Sequence, residues 1–147
     1  MLIRRANAED AKQAYPLYQA LIGRDQLRVF YNPEDFQYLI QCPNCYFLVA
    51  LDENEQVIGF LQAFDNVIWG YIDVFYVKPE YRHHKIGIGL LNALLQVKNE
   101  RWRAIELCYD PEDSYFASWL AAQGYAPLTA DAKPLRWVSK ICESIIQ

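Results

Sequence analysis

The chain has 147 residues, 53% of them hydrophobic and 22% charged, with a formal net charge of −4. That balance excludes a disordered chain, and the length suffices for one core, so residues 1–147 read as a single domain. The negative charge argues against nucleic acid or an anionic membrane as the main partner and is compatible with a cationic substrate.

Arg4 and Arg5 lead straight into polar residues, so no export signal or membrane span is expected and a cytoplasmic location is the default. Cys42, Cys45, Cys108 and Cys142 then read as reduced thiols. Cys42-Pro-Asn-Cys45 has zinc-knuckle spacing, but no second pair completes four ligands, and no metal is expected. Aromatic residues reach 15%, with 11 Tyr, enough to furnish a pocket or a homodimer seam.

In chain order, residues 2–6 read as a strand. A helix over 8–22 follows, capped by Asn7 and interrupted at Pro16. Asn32-Pro33 starts a second helix over 33–41. The period then changes to two: strands at 46–51, 57–64 and 67–77 form an antiparallel meander. A helix over 86–100 carries an apolar stripe, a buried strand spans 103–109, and Asp110-Pro111 opens a helix stopped by Gly124. Strands at 125–128 and 135–141 close the order β-α-α-β-β-β-α-β-α-β-β, an α+β fold with a mixed sheet.

The connection between the strand ending at Val77 and the helix starting at Ile86 carries chemistry. A helix N-terminus offers unpaired N–H groups and partial positive charge, Gly87 lets the backbone approach a ligand, and Arg82 and Lys85 add cations. Residues 82–88 therefore form either a phosphate-binding turn or a solvated basic helix start. A dinucleotide fingerprint is absent, since Asn92 stands where its third glycine belongs.

The run Val77-Lys78-Pro79-Glu80-Tyr81-Arg82-His83-His84-Lys85-Ile86-Gly87-Ile88-Gly89-Leu90-Leu91 resembles the acyl-CoA motif of the GNAT N-acetyltransferases: a strand, V-x-P-x-Y-R, x-x-G-x-G/A and a Leu-Leu pair. In this register Lys85 stands at the first motif glycine. A second register, on His84, Gly87 and Gly89, needs two extra residues after Pro79. Residues 113–125 resemble the family's N-x-x-A-x-x-F-Y-x-x-x-G-F, with Asp113 for Asn, Phe116 for Ala and Trp119-Leu120 for Phe-Tyr.

The resemblance implies a mostly antiparallel, splayed sheet flanked by about four helices, with acetyl-CoA as acyl donor and no metal. It implies pantetheine pairing along Phe75, Tyr76 and Val77, pyrophosphate on Arg82, His83, His84, Lys85, Ile86, Gly87 and Ile88, further cofactor contacts at Asp113 and Phe116, and the Val77 N–H as oxyanion donor. The implied reaction moves acetyl to a primary amine of a small molecule or peptide. The alternative is a silent CoA-binding or interaction domain, suggested by Lys85 and Leu120.

From the residues themselves, period two puts Asp73 on the face of Phe75 and Val77, making it the candidate base, or else a tyrosine-bonded surface acid. With Leu120 at the family's tyrosine position, Tyr115 is the candidate acid, with Tyr109, Tyr125 and solvent as alternatives. Arg28 (with Arg24), Tyr31 and Trp69 are candidates for the acceptor side.

Overall fold

The computed structural model describes residues 1–24, 31–109, 114–127 and 136–141. Arg28 and Asp113 lie outside these residues.

Local chemistry sets the first elements. β1 (Leu2–Arg5) leads into a 3-10 turn and then α1 (Ala11–Arg24). Asn7 and Asp10 form a reciprocal capping box at the turn, and Arg4 pairs with the buried Asp10 at 2.7 Å, tying β1 to the helix start. α1 runs on through Pro16, against the expected interruption. The ring removes one hydrogen bond, and Pro16 lies on the exposed side of the helix. α2 (Pro33–Gln41) starts on an Asn32–Asp35 capping box with proline at its first position.

The sheet contains β2 (Cys45–Leu51), β3 (Val57–Asp65), β4 (Gly70–Val77), β5 (Ala104–Tyr109), β6 (Ala126–Pro127) and β7 (Arg136–Ile141), in spatial order β1-β2-β3-β4-β5-β7-β6. β4 and β5 are parallel; the other described neighbours are antiparallel. β2 is buried throughout because helices cover both faces. α3 (Ile86–Val97) and α4 (Ser114–Ala122) join the core on one face, with Leu48, Leu61, Leu90, Leu94, Ile105 and Leu120. α1 and α2 cover the other, around Phe36, Phe47, Phe60, Val74 and Tyr76.

β4 begins at Gly70, three residues later than expected, because 66–69 form a turn closed by Asn66 N–H donating to Trp69 O at 2.9 Å. A tertiary contact fixes this start. Trp102 is fully buried, its Nε1 donates to Asp65 Oδ1 at 2.8 Å, and a Cβ at Gly70 would come within 2.2 Å of its ring. α3 ends at Val97, short of the expected 100, where Lys98 leaves helical geometry.

Candidate active site

The site begins with one extra residue in β4. β3 pairs Gln62 with Val74 but Ala63 with Ile72, so Asp73 is a β-bulge. A bulge bends its strand and breaks the alternation of faces. Ile72, Phe75 and Val77 pack toward α3 and α4, whereas Val74 and Tyr76 pack toward α1 and α2. Asp73 joins the second group: Tyr31, which packs there too, donates its hydroxyl to Asp73 Oδ2 at 2.6 Å. The expectation that Asp73 shares a face with Phe75 and Val77 is therefore corrected, since period two holds only for a strand without a bulge.

The same bulge opens the sheet. The parallel ladder with β5 runs from Gly70 to Ile72 and stops at the bulge, while pairing with β3 continues to Val77. Lys78 N–H donates to Ile58 O at 2.9 Å, so Gly59–Val77 is a non-hydrogen-bonded pair. The N–H and C=O of Val77, and by alternation those of Phe75, consequently point away from β3 into the gap. Those of Tyr76 turn to β3 instead, and its buried side chain faces α1 and α2. Tyr76 is thereby corrected: it supports the site from behind.

Beyond Val77, a 3-10 turn (Pro79–Tyr81) leads to the start of α3. Arg82 folds back on the strand it follows. Its Nε donates to Val77 O at 2.9 Å, and its guanidinium lies 5.3 Å from the centre of the Tyr76 ring. His83 and Lys85 both take the left-handed conformation, at φ 70 and 64. Lys85 thus has a backbone conformation that favours glycine, consistent with the register that puts it at a glycine position. Gly89 does not serve the turn; a Cβ there would come 2.7 Å from Ile3 Cδ1, so it packs α3 on β1. Ile86 is buried in the core, leaving its amide and those of Gly87 and Ile88 as the unpaired first turn of α3. His84 is exposed beside Tyr81.

A left-handed lysine costs about 1 kcal/mol. Lys85→Gly is therefore expected to leave the fold as stable or to raise Tm by about 3 °C. A thermal melt checks this; a clear fall in Tm would contradict the left-handed turn.

Across the gap, Phe75 meets the rings of Phe116 and Trp119 at 6.1 and 5.9 Å, and those two stack at 5.9 Å. Gly87 leaves room for them: a Cβ there would lie 3.4 Å from both Phe75 and Trp119. Leu120 is buried in the core. Tyr115, 55% exposed, places its hydroxyl 2.8 Å from His83 Nδ1. That hydroxyl is engaged at the 82–88 turn rather than at the Phe75–Val77 edge.

The face bearing Asp73 is held by tyrosines that sequence reasoning did not single out. Tyr15 donates to Tyr31 O at 2.8 Å, and Tyr31 N–H donates to the Tyr18 hydroxyl at 3.0 Å, so α1 holds the Tyr31 backbone from both sides. Burial, then the bond to Asp73, pushes the Tyr31 hydroxyl well above its ordinary value, which keeps it a donor. Gln62, fully buried opposite Val74, donates Nε2 to Cys45 Sγ at 3.1 Å while its Oε1 has no partner. Burial pushes the Cys45 thiol up to about 11, so it is protonated and not a nucleophile. The spacing of Tyr15 and Tyr18, one turn apart on α1, was the available signal for the clamp. Trp69 is elsewhere: it closes the turn before β4, about 26 Å of strand from Val77.

A strand edge opened by a bulge, a helix N-terminus at its end and a carboxylate on the far face fit an acyltransferase that takes its acyl group from a nucleotide-linked thioester. The match to known families agrees. The model of the acetyltransferase (GNAT) family matches residues 10–123, and the chain belongs to that family. It is an acyl-CoA-dependent N-acyltransferase. Comparison with curated proteins gave no match. Among solved structures, the PaiA N-acetyltransferase of Thermoplasma acidophilum in complex with coenzyme A has 19% identity and a TM-score of 0.83, over 96% of this chain and 98% of that one. A GNAT acetyltransferase of Staphylococcus aureus has 14% identity and a TM-score of 0.80, over 95% and 98%. An aminoglycoside 6'-N-acetyltransferase in complex with coenzyme A has 16% identity and a TM-score of 0.77, over 96% and 97%. These likenesses establish the fold. No helix among the described residues is long and apolar enough to cross a membrane.

Proposed function

We propose that the chain transfers acetyl from acetyl-CoA to a primary amine of a small molecule or peptide by direct attack. The observation that carries this reading is the outward-turned backbone of Phe75 and Val77, at the mouth of a gap that leads to the α3 N-terminus. The residues fit the donor. Phe75 would pair with its pantetheine arm as with an added strand, leaving the Val77 N–H for the acyl oxygen. The amides of 83–88, with Lys85 and His84 beside them, would hold its pyrophosphate. Tyr115 steadies His83, and Arg82 fixes the turn to the strand. When bound, acetyl-CoA supplies an activated acyl carbonyl.

The chain's own groups then divide the work across the two faces of β4. The Val77 N–H is oriented to stabilise negative charge developing on the acyl oxygen. Asp73, on the other face, receives a proton from the acceptor's ammonium, with Tyr31 fixing the carboxylate. The thiolate takes its proton from solvent, since Leu120 is buried and Tyr115 is engaged at the turn.

Mass spectrometry of an amine panel incubated with acetyl-CoA tests the reading. The expected result is an acetylated primary amine and one free thiol per transfer. Donor binding with no acetylated amine would instead favour the silent domain.

A further inference from the structure

Two further polar groups lie on the face that carries Asp73, and the proposed reaction uses neither. Glu106 sits in the middle of β5, in parallel register with Tyr71. Its neighbours Ile105 and Leu107 belong to the core beneath α3 and α4, so Glu106 projects to the opposite side, where Asp73 and Tyr31 lie. It is half-buried, and burial raises its carboxyl above the ordinary carboxylate value, with no hydrogen bond or charge from the described residues contributing. Among the described residues no cation lies beside it, so it faces the Asp73 side as an anion without a described counter-charge. The second group is Gln62, fully buried on this same face, directly across β3 from Val74 and beside the bulge. Its Oε1 accepts from nothing, although a buried carbonyl in that position ordinarily has a donor.

An anion and an acceptor, both short of donors and both on the acceptor face, call for a ligand that brings positive charge and N–H groups. α1 lies over β3 and β4 and α2 over β2, which places the helical cover on one side of β5. Tyr71 is two residues before Asp73, so the Cα atoms of Asp73 and Glu106 are about 8 Å apart on neighbouring strands. That separation is bridged by a short alkyl chain.

We infer that the acceptor is a dication, an amine whose reactive nitrogen is held at Asp73 and whose second ammonium is bound by Glu106. The reactive nitrogen supplies the donor that Gln62 Oε1 lacks, directly or through one water. Glu106 is then a specificity-determining residue: it does not touch the reacting atoms, and it selects acceptors by charge. The inference rests on the acetyl-transfer reading above and extends it.

The test compares 1,4-diaminobutane and 1,5-diaminopentane with n-butylamine and n-pentylamine as acceptors, with thiol release followed at saturating acetyl-CoA. The expected kcat/KM is at least tenfold higher for the diamines, through a lower KM. Glu106→Gln should bring that ratio close to one, and Glu106→Asp should retain part of it. Monoamines acetylated as well as diamines by the wild-type chain would overturn the inference while leaving acetyl transfer intact. A ratio unchanged in folded Glu106→Gln would overturn it equally. If neither amine class is acetylated, the inference fails, and the wider amine panel decides whether acetyl transfer fails with it. The wild-type ratio requires no variant, so poor folding of a Glu106 substitution does not remove the test.

Discussion

Asp73→Asn is expected to lower kcat/KM for amine acetylation by 10²- to 10⁴-fold, roughly the range for loss of a general base. The substitution is chosen because the asparagine oxygen still accepts the Tyr31 hydroxyl, which sits 2.6 Å from Asp73 Oδ2. The clamp by Tyr15 and Tyr18 then stays in place, and the change removes basicity rather than position. Acetyl-CoA affinity should stay within about twofold, because the gap-facing backbone belongs to Phe75 and Val77, past the bulge. Steady-state kinetics with calorimetry separates these quantities. An Asp73→Asn variant that keeps most of its activity would move the base to another group.

Gly87→Asp is expected to abolish most donor binding without loss of fold. A Cβ at Gly87 meets Phe75 and Trp119 at 3.4 Å, ordinary van der Waals contact, so the first side-chain atom is accommodated. A carboxylate in the first turn of α3 is also favourable to the helix, and Tm should hold or rise slightly. The same carboxylate opposes a pyrophosphate at close range, a penalty of about 2 kcal/mol or more, equivalent to roughly 30-fold in Kd. Unchanged affinity in a folded variant would place the pyrophosphate elsewhere.

The parts legible in the sequence are those that local chemistry decides. Asn32-Pro33 is a start signal that does not depend on the rest of the chain, and α2 spans the expected Pro33–Gln41. β2 and β3 fall within one residue of the period-two pattern. The turn at 82–88 was legible as a helix start for the same reason, since its N–H groups, glycine and two cations are all contiguous. Its left-handed Lys85 was hidden, because lysine gives no hint of positive φ. Elements set by distant partners were misread. The start of β4 depends on Trp102, more than thirty residues away, needing the space that Gly70 leaves. The bulge at Asp73 depends on how β3 pairs with β4, and no pattern within β4 announces it. One misplaced face followed: Asp73 was assigned beside Phe75, and Tyr15, Tyr18 and Gln62 went unnoticed.

The central claim is that the gap after the bulge and the turn at 82–88 together bind an acyl-CoA thioester. Titration calorimetry with acetyl-CoA and with S-acetylpantetheine, which lacks the pyrophosphate, tests both halves at once. The expected result is one acetyl-CoA per chain, with S-acetylpantetheine bound at least tenfold more weakly. No detectable acetyl-CoA binding, or equal affinity for the two, would contradict it.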